Sequence, residues 1–331
     1  LAWGAADAAD AAAGSLDREV GLKQSSAGSR SRAVLIALFV VFVWSTSWVL
    51  IKVGLEEIPA LTFAGIRYTL ASVCLLPFAV AIQRRSAPGS LSGPTLRRLV
   101  GLGLLCYTVT QGAVFLALDN LPAVTVNLLW SFSTVAVALL GIVALAERPS
   151  PFQWLGIALA LAGALFYFSP AGSLEGPQVG IIVSVVGVLA NAGATVLARR
   201  INRSAKLHPL VVTAISMGVG SPALLVIGAT TQGLPPISSV GWAIILWLAV
   251  VNAAFAFTVW NYTLRVLSAT ESSIINGTMM IWIPVLAVLF LGETIGGREL
   301  LGLIVTGIGT LLVQLRSPSA LLRPFRSRGR R

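Results

Sequence analysis

The sequence predicts an all-α integral membrane protein with ten transmembrane helices, built as two inverted five-helix repeats. Three observations carry this reading. Apolar runs of about 20 residues follow one another along the chain, each long enough to cross a hydrocarbon core about 30 Å thick as a helix. Basic residues gather in alternate connections between those runs. The chain also resembles itself when shifted by 146 residues.

Composition agrees. Of 331 residues, 56% are hydrophobic and 11% charged, with a mean hydropathy of +0.88. Soluble domains carry about 25% charged residues and need a polar skin that this chain cannot supply, which excludes a soluble enzyme. The same apolar content excludes a disordered chain. A disulfide scaffold is excluded because Cys74 and Cys106 are the only cysteines and both lie in apolar runs. A net charge of +11 would suggest nucleic acid as partner in a soluble chain. Here the charges flank apolar runs, so the expected partners are membrane lipid and a small-molecule substrate, with no nucleic acid and no cofactor; the pattern sets no oligomeric state.

Taken in order, residues 1–32 are rich in Ala, Ser, Gly and Asp and hold no apolar run, so a disordered cytoplasmic tail is expected there. Runs near 33–53, 60–82, 99–118, 122–145 and 151–169 make up the first repeat, 33–169. Runs near 178–198, 209–230, 241–266, 269–291 and 298–315 make up the second, 178–315, and a basic cytoplasmic tail follows over 316–331. Only helices or closed barrels satisfy backbone groups in lipid, and continuous runs without strict alternation argue for helices. With the amino terminus inside, all 23 basic residues except Lys52, Arg67 and Arg298 fall in cytoplasmic segments. Both termini are therefore expected to be cytoplasmic, in a multi-pass protein of the inner (cytoplasmic) membrane.

The shift by 146 residues pairs Leu118, Leu121, Ala123, Leu140, Glu147, Leu155, Gly156 and Gly163 with Leu264, Leu267, Ala269, Leu286, Glu293, Leu301, Gly302 and Gly309, without a gap. Leucine coincidences are cheap in apolar sequence; Glu and Gly recurring in register are not. Five crossings per half is an odd number, so the second copy must enter the membrane upside down.

Against that background several stretches resemble a known family. Ala146-Glu147-Arg148-Pro149 followed by Gln153-Trp154-Leu155-Gly156 and running to Gly163 resembles the end of an EamA repeat of the drug/metabolite transporter superfamily, as does Gly292-Glu293 followed by Leu300-Leu301-Gly302. Trp44-Ser45-Thr46, Ile51-Lys52-Val53-Gly54 and the stretch from Ile58 to Tyr68 are similar to the family's first two helices. Trp260-Asn261-Tyr262 and Ser268-Ala269-Thr270-Glu271 resemble its eighth and ninth. The chain departs from the family where a proline often precedes the Glu of each half by about 13 residues: Thr134 and Met280 stand there, and Pro284 comes one turn later. The resemblance implies a ten-helix carrier of small metabolites, commonly an exporter of amino acids or related compounds, with a central cavity between inverted halves.

Arg67 lies seven residues into the second run, roughly 10 Å below its end at 1.5 Å per residue. A charge buried there faces protein or water; its functional reading is a substrate carboxylate, its structural one helix-end carbonyls or a snorkelling path. Lys52, closer to the outer boundary with Glu56 one turn away, reads as structural, either paired with that acid or snorkelling. Glu147 and Glu293 stand at helix carboxyl ends and read as structural groups binding loop amides, and Glu271 suits a helix start.

Polar and aromatic residues at mid-depth form the remaining candidate substrate set. Trp44, Ser45 and Thr46 come from the first run, Tyr107 and Gln111 from the third, Asn127 and Trp130 from the fourth. Asn191, Asn252, Asn276 and Trp282 come from the second half. Amides and hydroxyls at that depth need partners across a helix interface or in a wet cavity. Trp44, Tyr107, Gln111 and Trp282 are the preferred subset, with aromatics shaping a cavity and Gln111 offering both donor and acceptor. Pro77 and Pro222 occupy similar places in the second helix of each half and, with Pro284, are candidate gates or hinges.

The sequence holds no G-x-x-x-x-G-K-[ST] phosphate loop and a single histidine, His208, beside Pro209 at a helix start. No catalytic residues and no metal ligands are expected. No Asp or Glu sits at mid-depth in any run, so no buried proton relay is visible. The expectation is a secondary transporter of small metabolites, an exporter, working by alternating access. A membrane-embedded enzyme or accessory subunit, and a channel, are the rival classes.

Overall fold

The computed structural model describes residues 31–84, 92–145, 150–168, 178–203, 207–263, 266–267 and 269–314. The tails expected at 1–32 and 316–331 fall outside the described residues except for Ser31 and Arg32, and Glu147 falls outside them as well. The first half contains α1 (Ser31–Leu55), α2 (Ala60–Arg84), α3 (Gly93–Asn120), α4 (Ala123–Leu145) and α5 (Pro151–Phe168). The second contains α6 (Gln178–Arg203), α7 (Pro209–Thr231), α8 (239–263), α9 (269–291) and α10 (Gly297–Gln314). No strand occurs among the described residues. Nine of these helices contain segments long and apolar enough to cross a membrane, and α8 is apolar over Ser239–Ala253.

Side chains sort as a bilayer requires. Phe63, Phe115, Ile58, Leu118, Leu128 and Leu248 are fully buried where α2, α3, α4 and α8 meet, whereas Phe39, Leu165, Ile182, Val226, Leu289 and Phe290 point outward. Exposed apolar side chains on nearly every helix would aggregate in water and are at rest in lipid.

Equivalent helices of the two halves lie against each other. The most extensive pairings in the bundle are α5 with α10 and α2 with α7. On α5, a Cβ placed on Gly156 would lie 2.7 Å from the Gly309 carbonyl, and one on Gly163 would lie 2.5 Å from Thr306 N. Gly302 meets Gly163 in the same way. The glycines that recur in the sequence are thus the surfaces on which two backbones touch, the small-residue contact by which helices associate in lipid. Residue numbers rise along α5 as they fall along α10, so the pair is antiparallel. The α2–α7 pair is antiparallel too: Thr62 meets Gly228 and Gly65 meets Leu225. Other contacts survive exchange of the halves. α4 packs on α6 as α9 packs on α1, α3 on α6 as α8 on α1, and α3 on α7 as α8 on α2. The two halves are inverted copies.

At one end of the bundle the connections carry Glu56, Glu57, Asp119, Glu293 and Glu299; the other end carries Arg84, Arg97, Arg98, Arg200 and Arg203. The acid-rich end is stitched across the halves. Gln232 Oε1 accepts from Leu61 N at 2.7 Å, and Thr62 Oγ1 donates to the Gly233 carbonyl at 2.9 Å. Glu57 accepts from the Ser238 amide and, at 2.7 Å, from its hydroxyl, at the start of α8. Glu293 accepts from Ala123 N at 2.6 Å and Val124 N at 3.0 Å, placing its charge on the positive end of α4. Gly292, in the left-handed region with φ 66°, ends α9 and turns the chain so that Glu293 reaches across. The expected pairing of Lys52 with Glu56 is corrected: among the described residues no ion pair joins them, which leaves the snorkelling path for Lys52.

Three irregularities interrupt otherwise regular helices. α3 is wound as π-helix over Leu104–Thr110 and α8 over Leu248–Phe255, at equivalent places in the two halves. α9 breaks at Thr278, whose hydroxyl donates to the Ile275 carbonyl at 2.7 Å, and resumes at Met279 with Pro284 inside it. α4 has no such break. Pro77 and Pro222 lie within continuous helices.

Candidate substrate site

The α2–α7 contact turns Arg67 and Tyr68 of α2 toward α3. Where α3 crosses α7, Gly103 packs against Ser216 and Gly220 against Gly103, and Thr108 Oγ1 donates to the Gly220 carbonyl at 2.7 Å. The wider π turns begin at that crossing and shift the register of the residues beyond it, a device common where a helix carries function. Tyr107, Gln111 and Phe115, spaced by four, then face α2.

The result is a compact cluster. Tyr68 Oη donates to Gln111 Oε1 at 2.7 Å. The Tyr68 and Tyr107 rings lie 5.9 Å apart, and Tyr68 meets Phe115 edge-on at 6.5 Å. Arg67 Cζ sits 4.9 Å from the centre of the Tyr68 ring and 5.8 Å from that of Phe115, and Arg67 is 6% exposed. Its Nε is buried without a hydrogen-bond partner, and among the described residues no carboxylate pairs with it and no carbonyl accepts from it. The helix-end carbonyls expected of a structural Arg67 do not take it up. Two aromatic faces attract the cation but leave its donors unused.

A second cluster lies between α1, α8 and α9. Trp44 Nε1 donates to the Asn252 carbonyl in the α8 π segment at 3.0 Å, and the Trp44 and Trp260 rings are 5.2 Å apart. Trp282 meets Phe42 edge-on at 5.2 Å. Asn252 is 1% exposed, and both polar atoms of its side chain are buried without partners. The segment that carries it packs on α2, so both clusters border the same helix.

The other candidates are placed as follows. Ser45 is buried and donates to the Val41 carbonyl, and Thr46 donates to the Val43 carbonyl, so both hydroxyls are satisfied by their own helix. Thr46 also borders an apolar groove with Val240, Trp247 and Phe290 on the lipid side. Trp130 packs over Gly187 of α6 and fills the α4–α6 interface. Asn191 shares the α6 face of Gly187 and Ala194, the face turned to α3 and α4. Asn127 is buried with an unpartnered Nδ2. Asn276 is exposed, just before the α9 break, and Pro284 lines a groove of about 580 Å³ between α9 and α10. His208 caps α7, its Nδ1 accepting from Leu210 N at 3.2 Å. The fold therefore brings Arg67, Tyr107 and Gln111 together and, separately, Trp44, Asn252 and Trp282. Tyr68, Phe115 and Trp260 complete these clusters without having been singled out from sequence. Tyr68 follows Arg67 directly and Phe115 lies four residues past Gln111, spacings that become meaningful once α2 and α3 are known to face each other.

Comparison with known proteins bears on the whole arrangement. The EamA-like transporter family matches the chain twice, over residues 31–169 and 178–315. The chain belongs to that family. Among relatives, it is 29% identical over 277 residues to a protein of Escherichia coli strain K12 named as an uncharacterized inner membrane transporter, YedA, with 80% of this chain and 83% of that one covered. It is 27% identical over 291 residues to a protein of Salmonella typhimurium strain LT2 named as a probable amino-acid metabolite efflux pump, covering 83% and 92%. A solved crystal structure shares the fold with a TM-score of 0.59 at 17% identity, covering 88% of this chain and 97% of that one. As a member of this transporter family, with nine described helices long and apolar enough to cross a membrane, the protein is a multi-pass membrane transporter rather than an enzyme.

Proposed function

We propose that the protein is a secondary exporter of small metabolites such as amino acids, working by alternating access with both termini in the cytoplasm. The observation that carries this is the inverted two-fold arrangement together with where the halves are joined. Antiparallel equivalents α2/α7 and α5/α10 hold the halves side by side, and the acid-rich end is closed by Glu57, Gln232 and Glu293 reaching from one half to the other. Beneath that closure lie the Arg67–Gln111 and Trp44–Asn252 clusters. The positive-inside distribution supports reading the joined end as the outer one, closed to the outside in this arrangement. Rocking of residues 33–169 against 178–315, with Pro77, Pro222 and Pro284 as bending points, would exchange it for the outward-open one. The name of the Salmonella relative supports amino-acid metabolites as cargo and export as direction.

The test is flux in proteoliposomes of purified protein, with labelled amino acids and related metabolites on one side. A carrier gives flux that saturates as solute rises; flux that stays proportional to concentration would make the protein a channel. Leu61→Cys and Gln232→Cys joined by a short thiol-bridging reagent, in a chain with Cys74 and Cys106 replaced by Ser, are expected to reduce flux to below about a tenth, with recovery on reduction. Undiminished flux in the bridged protein would remove alternating access at this end.

A further inference from the structure

We infer that Arg67 and Gln111 form a two-point subsite for a carboxylate, so that the transported solutes are small organic carboxylates with an apolar or aromatic body. This rests on the carrier reading above and narrows it to a substrate class.

The subsite offers donors. Tyr68 Oη donates to Gln111 Oε1 at 2.7 Å, which uses the amide's acceptor and fixes the amide plane. Among the described residues the Gln111 NH2 group makes no hydrogen bond, and neither does the Arg67 guanidinium. Both groups meet on the same tyrosine: the Arg67 Cζ is 4.9 Å from the ring whose hydroxyl holds Gln111. The donors left over are a cation with a planar fork and an amide. The chemical group that matches is an anion that only accepts, and a planar carboxylate matches the guanidinium fork in shape as well as in charge.

Electrostatics points the same way. A guanidinium 6% exposed two turns inside α2 without an anion is costly to maintain, and no Asp or Glu lies at that depth in the described spans to relieve it. The fold tolerates the cost where a solute can neutralise it. The surroundings define the rest of the solute. Tyr68, Tyr107 and Phe115 border the donors with ring faces and edges, apolar walls that suit a hydrocarbon or aromatic body rather than a second charge.

The experiment uses acid–amide pairs of matched shape: butyrate with butyramide, 3-phenylpropionate with 3-phenylpropionamide, and phenylalanine with phenylalaninamide. Binding to the full-length protein in detergent is read as the shift in unfolding temperature with ligand concentration. The acid of at least one pair is expected to bind at least about tenfold more tightly than its amide, since losing a hydrogen bond to a charged group is worth about that factor or more. Arg67→Gln is expected to abolish the preference, Arg67→Lys to retain part of it, and Gln111→Leu to weaken acid binding several-fold and amide binding less, so that the preference shrinks. Gln111→Leu carries the test if Arg67→Gln does not fold. Equal binding of acid and amide, no binding of any acid, or unchanged acid preference in a folded variant of either residue overturns the assignment. Proteoliposome flux separates this failure from that of the carrier reading. Saturable flux of the amides at the same rate as the acids removes the carboxylate subsite and leaves the carrier; the absence of saturable flux for any solute removes both.

Discussion

Asn252 presents an unusual balance at the level of a single side chain. It is 1% exposed, and neither its carbonyl oxygen nor its amide nitrogen has a partner, although its own backbone carbonyl accepts from Trp44. An unpaired amide in an apolar interior costs about 1–3 kcal/mol. Asn252→Leu is therefore expected to raise the unfolding temperature in detergent and, on the proposal that the amide serves cargo or water during transport, to lower flux. A more stable variant with unchanged flux would make Asn252 a plain packing defect. Polar residues such as Arg67, Gln111 and Asn252 were legible in the sequence because a polar group in an apolar run is conspicuous. Ser45 and Thr46 were equally conspicuous, yet hydroxyls bond readily to carbonyls three or four residues back, so their conspicuousness carried no news. Tyr68, Phe115 and Trp260 were hidden for the opposite reason, since aromatic rings belong in lipid, core and cavity alike.

Individual helices were legible to within a few residues wherever hydropathy and helix coincide. α4, predicted over 122–145, spans Ala123–Leu145, and α9 spans the predicted 269–291. α3 begins at Gly93 rather than near 99, with Pro94 in its first turn after Ser92, because a helix continues into polar surroundings where an apolar run ends. α6 likewise continues past 198 to Arg203. The π segments left no trace in the sequence: they lie where α3 packs on α7 and α8 on α2, contacts between residues far apart in the chain. The recurring glycines were visible, but their use was not, since a repeat does not say which copies will touch. That use makes a prediction about elements. Gly309→Ala places a methyl group inside the backbone of α5 and is expected to destabilise the protein by about 1–3 kcal/mol, as overpacking does. Gly218→Ala in α7 meets nothing within 4 Å and is expected to stabilise by about 0.5–1 kcal/mol, the ordinary gain of alanine over glycine in a helix. Thermal unfolding of both variants checks the pair, and equal effects would remove the close crossing.

For the molecule as a whole, the inverted arrangement was legible from an odd number of spans per half and the alternation of basic connections, and the antiparallel α5/α10 pair supplies its physical form. What the sequence could not convey is that an acid of one half would hold a helix start of the other. Glu293→Ala removes both acceptors from the first turn of α4. The loss, about 1–2 kcal/mol by analogy with a helix cap, falls on the closed state alone and is expected to raise the reactivity of a cysteine placed at Leu121 toward an external membrane-impermeant thiol reagent several-fold. Unchanged reactivity would show that Glu293 braces the fold without holding the outer end shut.

The backbone contact between α5 and α10 has a metrical consequence. Helices that touch through Gly156, Gly163, Gly302 and Gly309 have no side-chain layer to compress or slide, so this pair is expected to keep its spacing if other parts of the bundle move. Spin labels attached to α5 and α10 near that crossing should report one separation in every state of the cycle, giving an internal ruler against which the travel of the remaining helices can be measured.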